Sequence, residues 1–133
     1  MKVTWTEVPA GVRQFVEPSV KKWKVFLPSW LESLDVQYIP GEDSLASMQI
    51  LPQYRQALLC LHGKTLQDDD IDNTILHEFV HVGFEPVRRI YQRTIRQFLE
   101  DYSATAGFAE EGFEDAMEGM VCDVAYGIQR LLK

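Results

Sequence analysis

The sequence has few cysteines, a deficit of positive charge and no long apolar run, and each shortage excludes a class of protein. Its two cysteines, Cys60 and Cys122, form no CxxC pair, which argues against a disulfide framework and a thiolate zinc knuckle. We expect both to be buried and reduced. The 20 acidic and 13 basic residues give a net charge of −7, so nucleic acid is a poor partner. No apolar stretch approaches the roughly 18 residues of a membrane-spanning helix, so no membrane partner is expected.

The chain also shows no internal repeats, no low-complexity tract and no linker. Its first residues lack the charged and apolar segments of a secretory signal, so we expect a cytoplasmic protein. With 133 residues, of which 46% are hydrophobic, the chain can form one modest core. We therefore predict a single domain over residues 1–133.

Strands are predicted mainly in the first half of the chain. Residues up to about 17 show no clear pattern and are expected to be irregular. Helical spacing of apolar residues over 19–34 predicts a helix that Pro28 kinks or splits. Strands are predicted at 36–39, 47–51 and 55–62. The last of these contains a continuous apolar run, which indicates a strand covered on both faces.

Helices are predicted in the second half. The acidic turn at 68–70 is suited to cap a helix over 71–82, which Gly83 would end. Pro86 suits the first turn of another helix that continues to about Tyr102. Residues 103–107 are expected to connect it to a last helix over 110–132. This order predicts an α+β fold in which a small sheet packs against helices.

The most informative segment is His77-Glu78-Phe79-Val80-His81, an HExxH motif. On a helix, residues four apart lie on one face, so both imidazoles can reach one metal ion. The glutamate between them is then placed to act as a general base on a metal-bound water. Ile71, Ile75, Leu76, Phe79, Val80 and Val82 occupy the opposite arc and should face the core. The pattern predicts a metal site at His77 and His81, with Glu78 as the catalytic residue.

Such a site needs a third protein ligand and an open position for water. His62, the only other histidine, precedes the motif, and no histidine follows His81. A carboxylate from the last helix is therefore expected. Glu114 and Glu118 lie one turn apart beside its apolar stripe, and their spacing alone does not choose between them.

The segments 76–81 and 118–128 resemble the gluzincin branch of the zincin metallopeptidases. They are more closely similar to small zincin-like proteins that phages and prophages often encode. Those proteins carry a leucine before HExxH and, in the last helix, a glutamate followed by small and apolar residues. Matched residue by residue, that glutamate falls on Glu118. The resemblance implies a minimal zincin-like fold with Zn²⁺ held by His77, His81 and Glu118. The stretch between the two motifs is longer here, which keeps Glu114 as the alternative.

The expected function is zinc-dependent hydrolysis of peptide bonds by a metal-bound water that Glu78 activates. Its partner would be a protein or peptide substrate, paired with an edge strand at residues 55–61. The alternative is a non-catalytic zinc protein with a structural, regulatory or assembly role that retains the fold.

A basic cluster lies on the helix after Pro86. It comprises Arg88, Arg89, Arg93 and Arg96. One interpretation is a solvated face that offsets the acidic surface. The other is contact with an anion or a substrate carboxylate beside the metal.

Overall fold

The computed structural model describes residues 1–41, 44–98 and 103–132, and its fold is α+β, as predicted. In chain order the elements are β1 (Lys2–Thr6), α1 (Ala10–Trp23), β2 (Ser33–Ile39), β3 (Ala46–Leu51), β4 (Gln56–His62), α2 (Ile71–Phe98) and α3 (Ala104–Leu131). Short 3₁₀ turns at 24–26, 52–54 and 65–67 complete the connections. The chain divides into two compact units, Met1–Gly83 and Phe84–Lys133.

The first unit contains a four-stranded mixed sheet with the order β1-β2-β4-β3. β1, β2 and β4 are parallel, and β3 is antiparallel to β4. The predicted strands at 47–51 and 55–62 are confirmed to within one residue. The strand predicted at 36–39 is also present but begins earlier, at Ser33.

The prediction that residues 55–61 form an edge strand is wrong, because β4 lies between β2 and β3. The edges of the sheet are β1 and β3. Five of the seven residues of β4 are buried, from Ala57 to His62 with Leu58 partly exposed. This agrees with the continuous apolar run of that segment, since a strand that is paired along both edges and covered on its faces buries side chains on both faces of the sheet.

The predicted helix over 19–34 is confirmed only at residues 19–23, which belong to α1. α1 ends at Trp23, and the residues from Ser33 join the sheet. Leu34 is fully buried and pairs with strands on both sides, so strand pairing outweighs its helical spacing. The region expected to be irregular instead forms β1 and most of α1. Its signal was present in the sequence, because the buried residues Val12, Val16 and Val20 recur every four positions.

α2 begins where the acidic turn predicts. The Asn73 amide donates to the Asp70 carboxylate (3.4 Å), and the Thr74 hydroxyl donates to Asp68 (2.5 Å). The arc predicted to face the core is confirmed for Ile75, Leu76, Phe79, Val80 and Val82, all of which are buried. Ile71, in the first turn, is partly exposed.

α2 does not end at Gly83, as predicted, but continues through Pro86 to Phe98. Among the described residues no glycine has a positive φ, so Gly83 lacks the left-handed conformation that ends many helices. The predicted helix end near Tyr102 lies outside the described residues. α3 begins at Ala104, earlier than predicted, because Ser103 caps it by accepting from the Ala106 amide (3.0 Å). Within the described ranges, no helix has the length and apolar character needed to cross a membrane.

Candidate metal centre

His77 and His81 lie one turn apart on α2 with their rings directed at each other. Their Nε2 atoms are 3.2 Å apart. The two rings meet nearly edge to face, at 73°, with centroids 4.9 Å apart. The neighbouring Leu76, Phe79 and Val80 are buried, so the core holds the opposite side of this turn. The HExxH segment is therefore helical, as predicted, and it pairs the two imidazoles.

The spacing of these nitrogens fits a zinc ion. Two ligands of a tetrahedral Zn²⁺, each bonded at 2.0–2.1 Å, are about 3.3 Å apart. The two Nε2 atoms are 3.2 Å apart without any rearrangement. Neutral imidazole is also the commonest metal ligand among protein side chains. Both the geometry and the donor chemistry of this pair therefore fit the metal.

Glu78 follows His77 directly and is half-buried. Because each helical residue turns by about 100°, its side chain leaves the helix beside the histidine pair rather than in line with it. This position suits a general base that flanks a metal better than it suits a third ligand.

A second group of possible metal ligands joins His77 to two residues of α3 and does not include His81. His77, Glu118 and Cys122 each offer one ligand atom, and these atoms all lie within 4.8 Å of one another. His77 is partly exposed, and both α3 residues are exposed. This group could hold a metal ion. Of the two carboxylates that the sequence leaves open, Glu118 belongs to it, whereas Glu114 accepts a hydrogen bond from Arg88 Nε (2.9 Å).

Cys122 is the residue that the sequence analysis missed. Within the described residues neither cysteine forms a disulfide, as expected, and Cys60 is buried. Cys122, however, is exposed, so the prediction of a buried core thiol is wrong for this residue. The overlooked signal is its spacing, since Cys122 follows Glu118 by four residues, as His81 follows His77. Two residues at that spacing share a helix face.

The surroundings of Cys122 disfavour its thiolate. Partial burial, followed by the negative charges of Glu118 and Asp123, raises the pKa of the thiol above its ordinary value. A bound cation would act in the opposite direction, because it favours the charged form of a thiol that it contacts.

The other charged and imidazole candidates make local contacts. Arg88 forms ion pairs with Glu114 (2.9 Å) and Glu85 (3.6 Å), and Arg89 also pairs with Glu85 (3.6 Å). These contacts agree with the interpretation of this part of the basic cluster as a solvated, ion-paired face. His62 is buried at the end of β4, where its Nε2 lies 2.9 Å from the Ser47 hydroxyl.

Comparison with known proteins identifies no relative of this chain. No family model matches the chain, and no curated protein or solved structure is significantly similar to it.

Proposed function

We propose that this chain is a zinc-dependent peptidase of the zincin type, with His77, His81 and Glu118 as metal ligands. The observation that carries the proposal is the 3.2 Å separation of the two histidine Nε2 atoms within an HExxH helix. The membership of Glu118 in the group of ligand atoms supports its role as the third ligand. The resemblance of residues 76–81 and 118–128 to zincin-like proteins agrees with both.

Zinc, when bound, supplies Lewis acidity, which lowers the pKa of water and polarises a peptide carbonyl. Glu78 accepts the proton of the attacking water and passes it to the amine that leaves. His77 and His81 would hold the metal on a turn of α2 whose other face is buried. A rigid ligand turn keeps the general base at a constant distance from the reacting bond.

The substrate is an extended peptide that pairs with β3. The His62 amide donates to the Leu45 carbonyl (3.2 Å), so this pair is a hydrogen-bonded one, and every second pair along the antiparallel β3–β4 ladder is hydrogen-bonded in the same way. In the pairs between these, the backbone N–H and C=O groups of Ala46, Met48 and Ile50 point away from β4, towards the free edge of the sheet. Among the described residues no backbone bond occupies that edge. β3 contains no charged residue or proline to block a further strand.

Metal content and peptide cleavage test this function together. We expect near-stoichiometric zinc in the purified parent protein and its loss in His81→Ala and Glu118→Ala. Glu114→Ala is the matched control on the same helix and should retain the metal. Glu78→Gln should also retain zinc but lose at least about a hundredfold in cleavage of a peptide library. A parent protein that takes up no zinc after loading and desalting would overturn the proposal.

A non-catalytic zinc protein, with a structural, regulatory or assembly role, is the second candidate. The presence of Cys122 in the ligand group favours it, because structural zinc sites close their shell with a fourth protein ligand, often cysteine. In that case Cys122→Ser would weaken zinc binding strongly and Glu78→Gln would change nothing. A peptidase with an open fourth position gives the opposite pair of results.

A further inference from the structure

The second unit contains an antiparallel pair of helix segments, formed by α2 from residue 84 onwards and by the first half of α3. The rings of Tyr91 and Phe113 stack with centroids 3.9 Å apart, and the Tyr91 hydroxyl donates to the Ala109 carbonyl (3.2 Å). One turn away, Arg88 pairs with Glu114. These contacts define the line along which the two helices touch, which we call the seam. They also show which residues of the two helices lie at the same position along the helix axes.

One side of the hairpin is apolar and exposed. Val87 and Ile90 on α2 are 51% and 66% exposed. Taking the Tyr91–Phe113 stack as the seam, helical rotation places Gly112 and Ala116 of α3 on the same side as these two residues. Both are exposed, and nothing lies within 4 Å of the position that a Cβ of Gly112 would take. Bulky side chains on one helix thus lie beside a shallow, small-residue surface on the other.

The borders of this apolar side carry opposite charges. Arg93 follows Tyr91 by two residues, and Glu111 precedes Phe113 by two residues. Because the helices are antiparallel, these two charges lie at the same position along the helix axes, and each is directed away from the seam. Within residues 44–98 and 103–132, neither of their side chains makes an ion pair or a hydrogen bond. The pattern is therefore a basic border on α2 and an acidic border on α3.

We infer that this side of the hairpin is a docking surface for a second copy of the chain. A two-fold axis parallel to the helices places α2 of each copy against α3 of the other. Ile90 then packs over Gly112 of the second copy, and Val87 over Ala116. Arg93 of each copy meets Glu111 of the other, at the flanking positions where charges select partners in helical bundles.

Charge complementarity selects this arrangement over its alternatives. A two-fold axis perpendicular to the helices in the plane of contact would place α2 against α2 and bring the arginine borders together, which is repulsive. The paired face is about 22 Å long and two helices wide, the size of a small interface. We therefore expect a reversible dimer with a micromolar dissociation constant.

Sedimentation equilibrium of the full chain, from about 1 to 200 µM, tests the inference. Arg93→Glu and Glu111→Arg should each weaken dimerisation about tenfold or more, because each places like charges opposite each other. The double variant, which exchanges the two charges, should return to within about threefold of the parent. Lys24→Glu, an exposed reversal of the same sign in the first unit, is the control and should have no effect.

Several outcomes would overturn the inference. A parent protein that stays monomeric at the highest concentration would show that this face does not bind a second copy of the chain. Single reversals without effect, or a double variant that stays weak, would exclude the pairing of α2 with α3. Assembly beyond a dimer would exclude the two-fold arrangement. Circular dichroism of each variant checks that the helices remain folded, and Ile90→Glu provides an independent disruption of the apolar contact.

Discussion

The two halves of α2 form one continuous helix but differ in what they bury. Residues 71–83 contribute five buried apolar side chains, Ile75, Leu76, Phe79, Val80 and Val82. Residues 84–98 contribute one, Ile95, and expose Val87, Ile90 and Phe98. The same secondary structure is thus supported in two ways, by a core in the first half and by helix pairing and ion pairs in the second.

This difference explains where the proposed catalytic residues lie. Full burial of a large apolar side chain contributes roughly 1.5–3 kcal/mol, whereas an exposed ion pair contributes less than about 1 kcal/mol. His77, Glu78 and His81 are all on the half that the core anchors. Metal ligands need a turn whose side chains stay in place, and buried neighbours supply that constraint.

The largest expected effect concerns the core of the first half. Phe79→Ala removes a fully buried ring and should lower the free energy of unfolding by about 3–5 kcal/mol. Ile90→Ala in the second half should change it by less than about 0.5 kcal/mol, because Ile90 is mostly exposed. Urea unfolding at low protein concentration measures both. Equal effects of the two substitutions would contradict the contrast between the halves.

A smaller effect is expected at the start of α3. Ser103→Ala removes the hydroxyl that accepts from the Ala106 amide, and should cost about 1 kcal/mol. Thermal unfolding followed by circular dichroism provides the measurement. Ser103→Asp is the matched control, because aspartate can cap the helix in the same way. A loss as large in Ser103→Asp as in Ser103→Ala would show that capping is not the reason.

The sheet of the first unit should show a modest pH dependence through Asp35. Burial acts to raise the pKa of this carboxyl, but hydrogen bonds from Gln37, Thr6 and Thr4 together hold it below the ordinary value. A depressed pKa in the folded state stabilises the protein above the unfolded pKa of about 3.9, and this stability is lost as pH falls through the folded value.

Thr6→Val removes one of those donors (2.8 Å) and should destabilise the protein by less than about 1 kcal/mol at neutral pH. The difference from the parent should shrink as pH falls through the depressed folded-state pKa of Asp35, because the carboxyl is then protonated in the parent and in the variant. Urea unfolding across this range gives the comparison. In an Asp35→Asn background the effect of Thr6→Val should no longer depend on pH; a persistent dependence would assign it to another group.

The smallest expected effect is on the reactivity of Cys122 in metal-free protein. Glu118→Gln removes the carboxylate whose charge raises the thiol pKa more than that of Asp123 does, so the thiolate fraction at neutral pH should increase. Alkylation should become about two- to fivefold faster. Asp123→Asn should also accelerate alkylation, but by a smaller factor. A greater acceleration in Asp123→Asn would contradict the order of these contributions.

Local patterns in the sequence were sufficient for several elements. The alternating run at 36–39 predicted the second part of β2, the continuous apolar run predicted β4, and the acidic turn predicted the start of α2. The helical position of the HExxH motif followed from the same period of 3.6 residues that predicted its buried arc. Each of these features depends on neighbours in the chain, which a sequence displays directly.

Other features depend on contacts between distant segments. Leu34 has helical spacing with Trp30 and Leu31 but becomes a strand residue because β1 and β4 pair with it on either side. Gly83 and Pro86 would end or begin many helices, yet α2 continues through both. The position of β4 inside the sheet could not be predicted either, because strand order depends on pairing between segments more than twenty residues apart.

The sequence by itself determined the α+β class, the spacing of His77, Glu78 and His81 on a helix, and a short list of carboxylates for a third ligand. Only the tertiary structure placed β3 at an edge of the sheet and grouped Cys122 with His77 and Glu118. The physical reason is the range of the interactions. Helix periodicity and capping act within a few residues, whereas strand order and the meeting of ligand atoms require segments far apart in the chain to pack together.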